Sequence, residues 1–581
     1  MSKPAEIVVP SDYTRAGNRS HMNRVVSIPQ DEQFSYGTAG FRFDAEKLPF
    51  IVFRCAYVAS LRARQLNSTI GLMITASHNP AQDNGVKLVD PSGDMLNEQW
   101  EIYATEIVNA SDEQLPYVVR ALEKQIMVLK TIKSRVICGI DTRESGLHLA
   151  ECARAGAALF NVPFEFYDVV TTPMLHYAVK CHNEPEFGKA THNEYYSTIA
   201  KSFNDLWELT DAPEGSRYEK TVRLDCANGV GGPRFQDMLK HIPSDRLEIV
   251  FSNFCDPQKP NLLNHNCGAD FVKIQQTLPA NFDASAPNEP KCVSFDGDAD
   301  RVIYFRSKPD ENCPNKVELC DGDKIAVLIA TYIREQLKVY ESMAPRERLT
   351  MGIVQTAYAN GSSTRYIREQ LGIEPIIVPT GVKHLHEAAS EFDLGIEPII
   401  VPTGVKHLHE AASEFDVGIY FEANGHGTVV FSEVFDRIIR RTAHSAVALR
   451  RLALFSRVIN ETVGDAIADL LAVEIILYHK GWSMQDWLDQ LYQDVPNVQI
   501  KVPVDDRSIF KTTNAEQKLV KPEGIQKLID EDVAKYKNSR AFIRPSGTEN
   551  IVRVYAEADT VENTLRLGKS LEKVVLGLRN A

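Results

Sequence analysis

No two of the ten cysteines are spaced C-x-x-C, and none occurs after Cys320. The chain therefore has neither a disulfide framework nor a zinc site, and its thiols read as reduced and cytosolic. Nowhere do about 20 apolar residues run together, which excludes a membrane-spanning helix. The amino-terminal stretch MSKPAEIVVPSDYTRAGNRSH lacks the apolar centre of a secretory signal. Positive charge is scarce as well: 64 Lys and Arg stand against 78 Asp and Glu, a formal net charge of −14. Such a balance argues against nucleic acid as a partner, so the positive charge that holds any anionic ligand must be local. The expectation is a cytoplasmic protein with neither membrane nor nucleic-acid partners.

With 44% apolar and 24% charged residues, the composition is that of a globular chain. At 581 residues it is too long for one core and should divide into several domains. Short β-rich runs recur: IGLMITAS, SRVICGID, TVRLDCANG, PKCVSFDGDAD, RLTMGIVQT and VGIYFEANG. Each ends in small or acidic residues and precedes a segment that reads as helix. The pattern predicts βα units on mostly parallel sheets, with ligands collecting at the carboxyl ends of strands. Beyond residue 458 the order changes to helix first, then the strands VQIKVPVDD, AFIRPS and NIVRVYAEA, which predicts a smaller α+β domain. The expected boundaries are 1–200, 201–320, 321–457 and 458–581.

Several stretches could carry chemistry. In ITASHNP a strand gives way to a turn holding Ser77 and His78, and Lys87 brings a cation into the continuation. A serine in a polar turn is also an ordinary turn former. In DGDAD, Asp296, Asp298 and Asp300 alternate after an apolar strand. Three carboxylates so close repel unless a hard cation neutralises them, and all-oxygen ligation suits Mg²⁺ or Ca²⁺. An EF-hand is excluded because Arg301 and Ser307 stand at its sixth and twelfth positions. A solvated acidic turn is the alternative reading.

In RPSGTEN, the Arg544 guanidinium, the hydroxyls of Ser546 and Thr548 and the backbone N–H groups around Gly547 suit a phosphate, with Arg553 close behind. An ordinary Pro-Ser-Gly turn would look the same. In FEANGHGT, Glu422, Asn424 and His426 alternate at a strand end, a spacing that suits adjacent sugar hydroxyls. The glycine-rich stretches GTAGFR, with Arg42, and DCANGVGG are weak alone, and the second does not match a dinucleotide fingerprint. Together a serine that can carry a phosphoryl group, a metal-binding acidic cluster, a phosphate cradle and a sugar-hydroxyl pair describe a phosphosugar phosphotransferase.

In this order GTAGFR, TASHNP, DGDADR, FEANGHGT and RPSGTEN resemble the motifs of the α-D-phosphohexomutase superfamily, and the likeness runs from about residue 30 to about residue 575. The resemblance implies an α/β, four-domain, heart-shaped enzyme with a central cleft: three βα mixed-sheet domains plus a smaller C-terminal α+β domain. It implies interconversion of N-acetylglucosamine 6-phosphate and 1-phosphate through a phosphoserine and a 1,6-bisphosphate, on the route to UDP-N-acetylglucosamine. Ser77 would be the phosphoserine, with His78, Lys87, Arg42 and Arg301 around the transferring group. One Mg²⁺ per chain would be held by Asp296, Asp298, Asp300 and the Ser77 oxygen. Glu422, Ala423 and Asn424 would read the sugar, and Arg544, Pro545, Ser546, Gly547, Thr548 and Arg553 the non-reacting phosphate. A glucosamine-type 1,6-bisphosphate would serve as activator, and the protein would be a monomer or weak dimer. Asn424, where glucose- and mannose-handling members place Ser, is expected to help accommodate a 2-acetamido group. A mutase for glucose, mannose or glucosamine phosphates is the nearest alternative, and a mutase-fold protein inactivated by the feature described next is another.

That feature is a tandem duplication. LGIEPIIVPTGVKHLHEAASEFD occupies 371–393 and again 394–416. The block reads as one βα unit: strand EPIIVPT, loop GVKH, helix LHEAASEF. The resemblance makes VPTGVKHLH a sugar-contacting loop. The first copy (Lys383, His384) keeps the connection to the preceding helix, and the second (Lys406, His407) keeps the connection to VGIYFEANG. Spacing to Glu422 favours Lys406 and His407 as the working pair. A second strand would break the sheet, whereas extruding about 23 residues costs only a few kcal/mol.

Overall fold

Pro49 in the first turn and Asn67 in a left-handed conformation (φ 54°) bound the helix Leu48–Leu66, and the Asn67 N–H donates to Ala63 O. Its buried face packs on the first of the sheets that carry the functional loops. This computed structural model describes residues 8–37, 40–126, 133–283, 291–311, 313–378, 405–513, 516–545 and 551–578. It forms two compact units. One comprises Met1–Thr210, Glu219–Leu319 and Arg457–Glu474, and the other Asp211–Tyr218, Cys320–Ser456 and Ile475–Ala581. Among the described residues no helix is long and apolar enough to cross a membrane.

In the first unit, β1 (Phe41–Asp44), β2 (Thr69–Ile74), β3 (Asp83–Val89), β4 (Arg135–Ile140) and β5 (Phe164–Val169) form a sheet in the order β1-β3-β2-β4-β5. Strands β2, β4 and β5 are parallel; β3 is antiparallel to both β2 and β1. Every residue of β2 is buried, so TIGLMI is an apolar run instead of an alternating one. The second sheet has β6 (Thr221–Asp225), β7 (Glu248–Ser252), β8 (Lys291–Phe295), β9 (Val302–Ser307) and β10 (Val317–Cys320) in the order β10-β9-β8-β6-β7.

In the second unit, β11 (Met351–Thr356), β12 (Ile376–Val378), β13 (Val417–Phe421) and β14 (Gly427–Phe431) take the order β12-β11-β13-β14, with β14 antiparallel. The remaining strands are β15 (Asn497–Pro503), the hairpin of β16 (Lys511–Thr513) and β17 (Lys518–Lys521), β18 (Arg540–Pro545) and β19 (Ile551–Glu557). The antiparallel sheet β15-β19-β18 rests Val498, Ile500 and Val502 on the cluster that contains Leu567 and Leu571 of the helix Val561–Gly577.

The expectation of a helix after every apolar run is corrected at three of them. Strand β2 is followed by β3, β8 by β9 and β13 by β14, each antiparallel to its predecessor. The segments concerned are short runs of strand-forming sequence, too short for a helix to bury. These three turns carry Ser77, the aspartate cluster and Glu422.

The duplicated block keeps both of its natural connections. The first copy supplies β12, paired with β11 from Val354↔Ile376 to Thr356↔Val378. The second supplies the helix Val405–Ala412, which buries Leu408, Ala411 and Ala412 against Val354 and Tyr420. A Cβ on Gly418 would lie 1.9 Å from Ala412 O, so glycine is what lets this helix sit close to β13. The backbone of Lys406 and His407 lies in the first turn of that helix. Residues 379–404, which include Lys383, His384 and the loop preceding Lys406, lie outside the described residues.

Candidate active site

Ser77 has a left-handed backbone (φ 50°), a conformation that costs a non-glycine residue about 1–3 kcal/mol and persists only when its surroundings impose it. Here they do. Its N–H donates to Thr75 Oγ1 at 2.9 Å, and Thr75 in turn donates to Asp141 Oδ2 at 2.7 Å. Its carbonyl accepts from Arg143 Nη2 at 2.9 Å and from Asn264 Nδ2 at 2.8 Å. Arg143, fully buried, also donates to the carbonyls of Asn79, Pro80 and Asp83 and to the Asp141 carboxylate. The whole guanidinium fork is thereby used on one turn and its anchor.

The Ser77 hydroxyl donates to Asp296 Oδ2 at 2.6 Å. Asp296, Asp298 and Asp300 occupy the β8–β9 turn and are all buried, and a carboxylate oxygen from each lies within 4.8 Å of the others. Lys87 Nζ is 3.4 Å from both Asp298 and Asp300, and Thr172 Oγ1 donates to Asp298 Oδ2 at 2.6 Å. Arg301 Nε approaches Asp296 and Asp300 at 3.9 and 3.8 Å. Arg42, on β1, lies within electrostatic reach of all three aspartates and of Arg301.

Burial, with Asp300 and Asp298 beside it, pushes the Asp296 carboxyl well above the usual range. Asp298 goes the other way: burial and Asp300 raise it, but Lys87, Thr172 and Arg42 outweigh them and hold it low. Asp298 Oδ1 is buried without a hydrogen-bond partner among the described residues. An oxygen-only, buried, mutually repelling set with an unused ligand atom fits a hard divalent cation. His78 Nδ1 lies 3.5 Å from Ser77 Oγ, and its pKa is pushed down to about 3 by burial and then by Arg301.

The second unit holds the other half of the motifs. The turn Glu422–His426 closes the β13–β14 hairpin with Glu422 N donating to His426 O and Gly425 left-handed at φ 87°. Asn424 donates to Glu422 Oε2 at 3.0 Å and accepts from His426 N at 3.1 Å, so the two side chains read as sugar-contacting groups are fixed to each other. A Cβ on Gly322 would lie 1.9 Å from Glu422 O, which requires glycine where the helix Gly322–Met343 begins against this turn.

Arg544, on β18, faces Arg553 across the sheet, and Arg553 faces Lys501 on β15. Cations directly opposite one another on neighbouring strands repel, which suits a place where an anion binds. Arg544 Nε pairs with Glu516 at 3.2 Å, and its guanidinium lies 5.9 Å from the centre of the Tyr358 ring. Pro545 ends β18, while Ser546, Gly547 and Thr548 lie outside the described residues. Arg540 ties this sheet to the β11 turn by donating to the carbonyls of Ala357 and Ala359 at 3.0 and 2.6 Å.

The structure therefore gathers Ser77, His78, Lys87, Arg42, Arg301 and the three aspartates in one unit, and Glu422, Asn424, Arg544 and Arg553 in the other. Sequence reading missed Arg143, Asn264, Thr172, Asp270 and Lys501. An Asp-x-Arg pair ending the strand SRVICGID was the one available signal for Arg143. The others act on partners that lie far away in sequence.

Domain profiles described as phosphoacetylglucosamine mutase AMG1 domain II and domain III match residues 187–303 and, for domain III, both 321–398 and 394–482. The double match reflects the duplicated block. Profiles of phosphoglucomutase/phosphomannomutase domain I and of the C-terminal domain match 56–115 and 500–573. The phosphoacetylglucosamine mutase of Candida albicans is 43% identical, the match covering 94% of this chain and 97% of that protein. The crystal structure of Aspergillus fumigatus N-acetylphosphoglucosamine mutase in complex with GlcNAc-6P and magnesium superposes with a TM-score of 0.83 at 40% identity, covering 94% of this chain and 96% of that one. A second A. fumigatus structure, in complex with glucose 1,6-bisphosphate, gives 0.82 at 39%, covering 98% and 100%. With the serine turn, the aspartate triad and these relatives agreeing along nearly the whole length, the chain belongs to the phosphoacetylglucosamine mutases of the α-D-phosphohexomutase superfamily.

Proposed function

We propose that this chain interconverts N-acetylglucosamine 6-phosphate and N-acetylglucosamine 1-phosphate, supplying the 1-phosphate for UDP-N-acetylglucosamine synthesis. The observation that carries the reading is the Ser77 hydroxyl placed 2.6 Å from a buried triad of aspartates flanked by Lys87 and Arg301. A serine that only capped a turn would need neither the triad nor the cations.

Phospho-Ser77 donates its phosphoryl group to the sugar C1 hydroxyl. The C1 oxygen bonds to phosphorus, the bond from phosphorus to Ser77 Oγ breaks, the hydroxyl proton is balanced by the one Ser77 Oγ takes up, and a 1,6-bisphosphate results. The bisphosphate turns over and returns its 6-phosphoryl group to Ser77, leaving the 1-phosphate. Phosphoryl transfer needs charge neutralisation and in-line positioning, which Lys87, Arg42 and Arg301 supply, while Arg143 and Asn264 hold the serine still. Asp296, Asp298, Asp300 and the Ser77 oxygen would hold Mg²⁺, which when bound offsets the charge of the phosphoryl oxygens. Glu422, Ala423 and Asn424, with Lys406 and His407 from the second copy of the block, read the sugar. Arg544 through Thr548 and Arg553 hold the phosphate that is not reacting.

The same reading includes four domains meeting near residues 200, 320 and 457, phosphorylation at Ser77, activation by a glucosamine-type 1,6-bisphosphate, a monomer or weak dimer, and a cytoplasmic location. The test is mutase activity on N-acetylglucosamine 6-phosphate with Mg²⁺ and a trace of bisphosphate, beside Ser77→Ala. Activity that disappears in the variant supports the reading. A clear preference for glucose phosphates would refute it.

A further inference from the structure

Asp270 lies in the first turn of the short helix Ala269–Gln275, whose N-cap, Gly268, offers no side-chain cap. Its carboxylate is turned instead toward the Ser77 site. Arg301 Nη1 donates to Asp270 Oδ1 at 2.6 Å, and His78 Nε2 faces Asp270 Oδ2 at 3.4 Å. The other edge of the imidazole, Nδ1, lies 3.5 Å from Ser77 Oγ. One carboxylate thus sits behind two groups that flank the serine, and it does so from the rim of a cavity of about 220 Å³ that His78, Asn264 and Phe271 also line.

We propose that Asp270 is a positioning residue for phosphoryl transfer, anchoring the Arg301 guanidinium and fixing the orientation of the His78 ring beside Ser77. A carboxylate only accepts hydrogen bonds, so the imidazole edge that faces Asp270, Nε2, presents an N–H to it, and the Nδ1 edge is thereby set toward Ser77 Oγ. The Nη1 end of Arg301 is held by Asp270 while its Nε edge stays toward Asp296 and Asp300. Asp270 acts on the serine and the aspartate triad through these two partners. Such orienting groups set how often the reacting atoms meet in line, not how tightly the sugar binds.

This inference rests on the mutase reading and is tested with Asp270→Asn, which preserves shape and removes charge. The expected result is a fall in kcat of about tenfold or more, with KM for N-acetylglucosamine 6-phosphate and melting temperature nearly unchanged. In a His78→Gln/Arg301→Lys background the same substitution should cost less than about twofold, because its two routes of action are already lost. Should Asp270→Asn fail to fold, Asp270→Glu keeps the charge one methylene out of place and is read by the same split. Unchanged kcat in an otherwise active enzyme, or an undiminished loss in that background, overturns the inference alone. An inactive parent chain would overturn the mutase reading and this inference with it.

Discussion

Arg143 Nη2 donates to Ser77 O at 2.9 Å, and its remaining donors close the same turn on Asn79, Pro80, Asp83 and Asp141. The strained φ of the serine is thus set through its backbone, by a residue whose hydrogen bonds all go elsewhere than the reacting oxygen. Lysine gathers its donors on one nitrogen and cannot match a planar fork that serves several carbonyls and a carboxylate. Arg143→Lys should lose roughly 100-fold or more in kcat through misplacement of Ser77. Leaving the buried Asp141 carboxylate poorly paired should also cost about 3–5 kcal/mol of stability, to be read by denaturant unfolding. Wild-type kcat in a folded variant would show that the turn holds itself.

The aspartate triad predicts a metal-dependent stability. Mg²⁺ binding only the folded chain should raise the melting temperature, by the equivalent of about 2.7 kcal/mol at a hundredfold excess over Kd. Asp298→Asn removes one charge and should abolish most of that increment while also weakening the metal-free protein, since Lys87, Thr172 and Arg42 outweigh the repulsion from Asp300 and favour the charged carboxylate. Differential scanning calorimetry with EDTA and with Mg²⁺ separates the two effects. An equal Mg²⁺ shift in the variant would remove Asp298 from the ligand set.

Much of this arrangement was legible in the sequence because its carriers are contiguous. Asp296, Asp298 and Asp300 stand out as a candidate cation site because alternating carboxylates repel unless neutralised, and Glu422 and Asn424 sit close together on one turn. The architecture around them was legible only in part. Apolar runs ending in DGDAD and FEAN look the same whether a helix or a returning strand follows, and the short runs after them decide for strands. Arg143, Asn264 and Asp270 were not legible. Their meaning lies in contacts with Ser77, His78 and Arg301, which join segments distant in the chain and exist only once two sheets are assembled.

Asn424 carries the specificity prediction. Its amide is clamped between Glu422 Oε2 and His426 N, which leaves one amide N–H and one lone pair for a ligand. Asn424→Ser should lower kcat/KM on N-acetylglucosamine 6-phosphate by the equivalent of about 1–3 kcal/mol and leave glucose 6-phosphate less affected. A substrate panel decides; equal losses on both sugars would mean that Asn424 shapes the turn and does not read the acetamido group.

Asp469 is fully buried in the helix Ala466–Lys480, and neither of its carboxyl oxygens meets a hydrogen-bond partner among the described residues. Burial, with Asp465 nearby, raises its pKa well above the usual carboxylate range. Folding therefore retains a proton that the unfolded chain releases. The stability this group contributes is complete below about pH 4, the unfolded value, and is lost as pH rises toward its folded pKa. Asp469→Asn should match the parent near about pH 4 and exceed it at about pH 7–8 in urea unfolding. A constant difference across that range would show that the carboxyl is not the source.

The duplicated block supplies the last prediction. Because the copies are identical, deleting 394–416 yields the same chain as deleting 379–401. In the shortened chain Val378 of β12 is followed by Pro-Thr-Gly and then by the helix sequence VKHLHEAA, so every described element of the block survives. What is lost is a long connection between a strand and a helix that are already placed. Reducing the connection 379–404 to Pro-Thr-Gly removes about three doublings of loop length, worth roughly 2 kcal/mol of closure entropy. The shortened chain should therefore melt several degrees higher and retain mutase activity comparable to the full chain, since the described strand β12 and helix Val405–Ala412 both survive the deletion. Coincident melts would mean that 379–404 contributes contacts that offset its entropy. Activity confined to the shortened chain would mean that the sugar loop needs the direct Pro-Thr-Gly link from β12 to the helix, and that the duplication disables the enzyme at that loop.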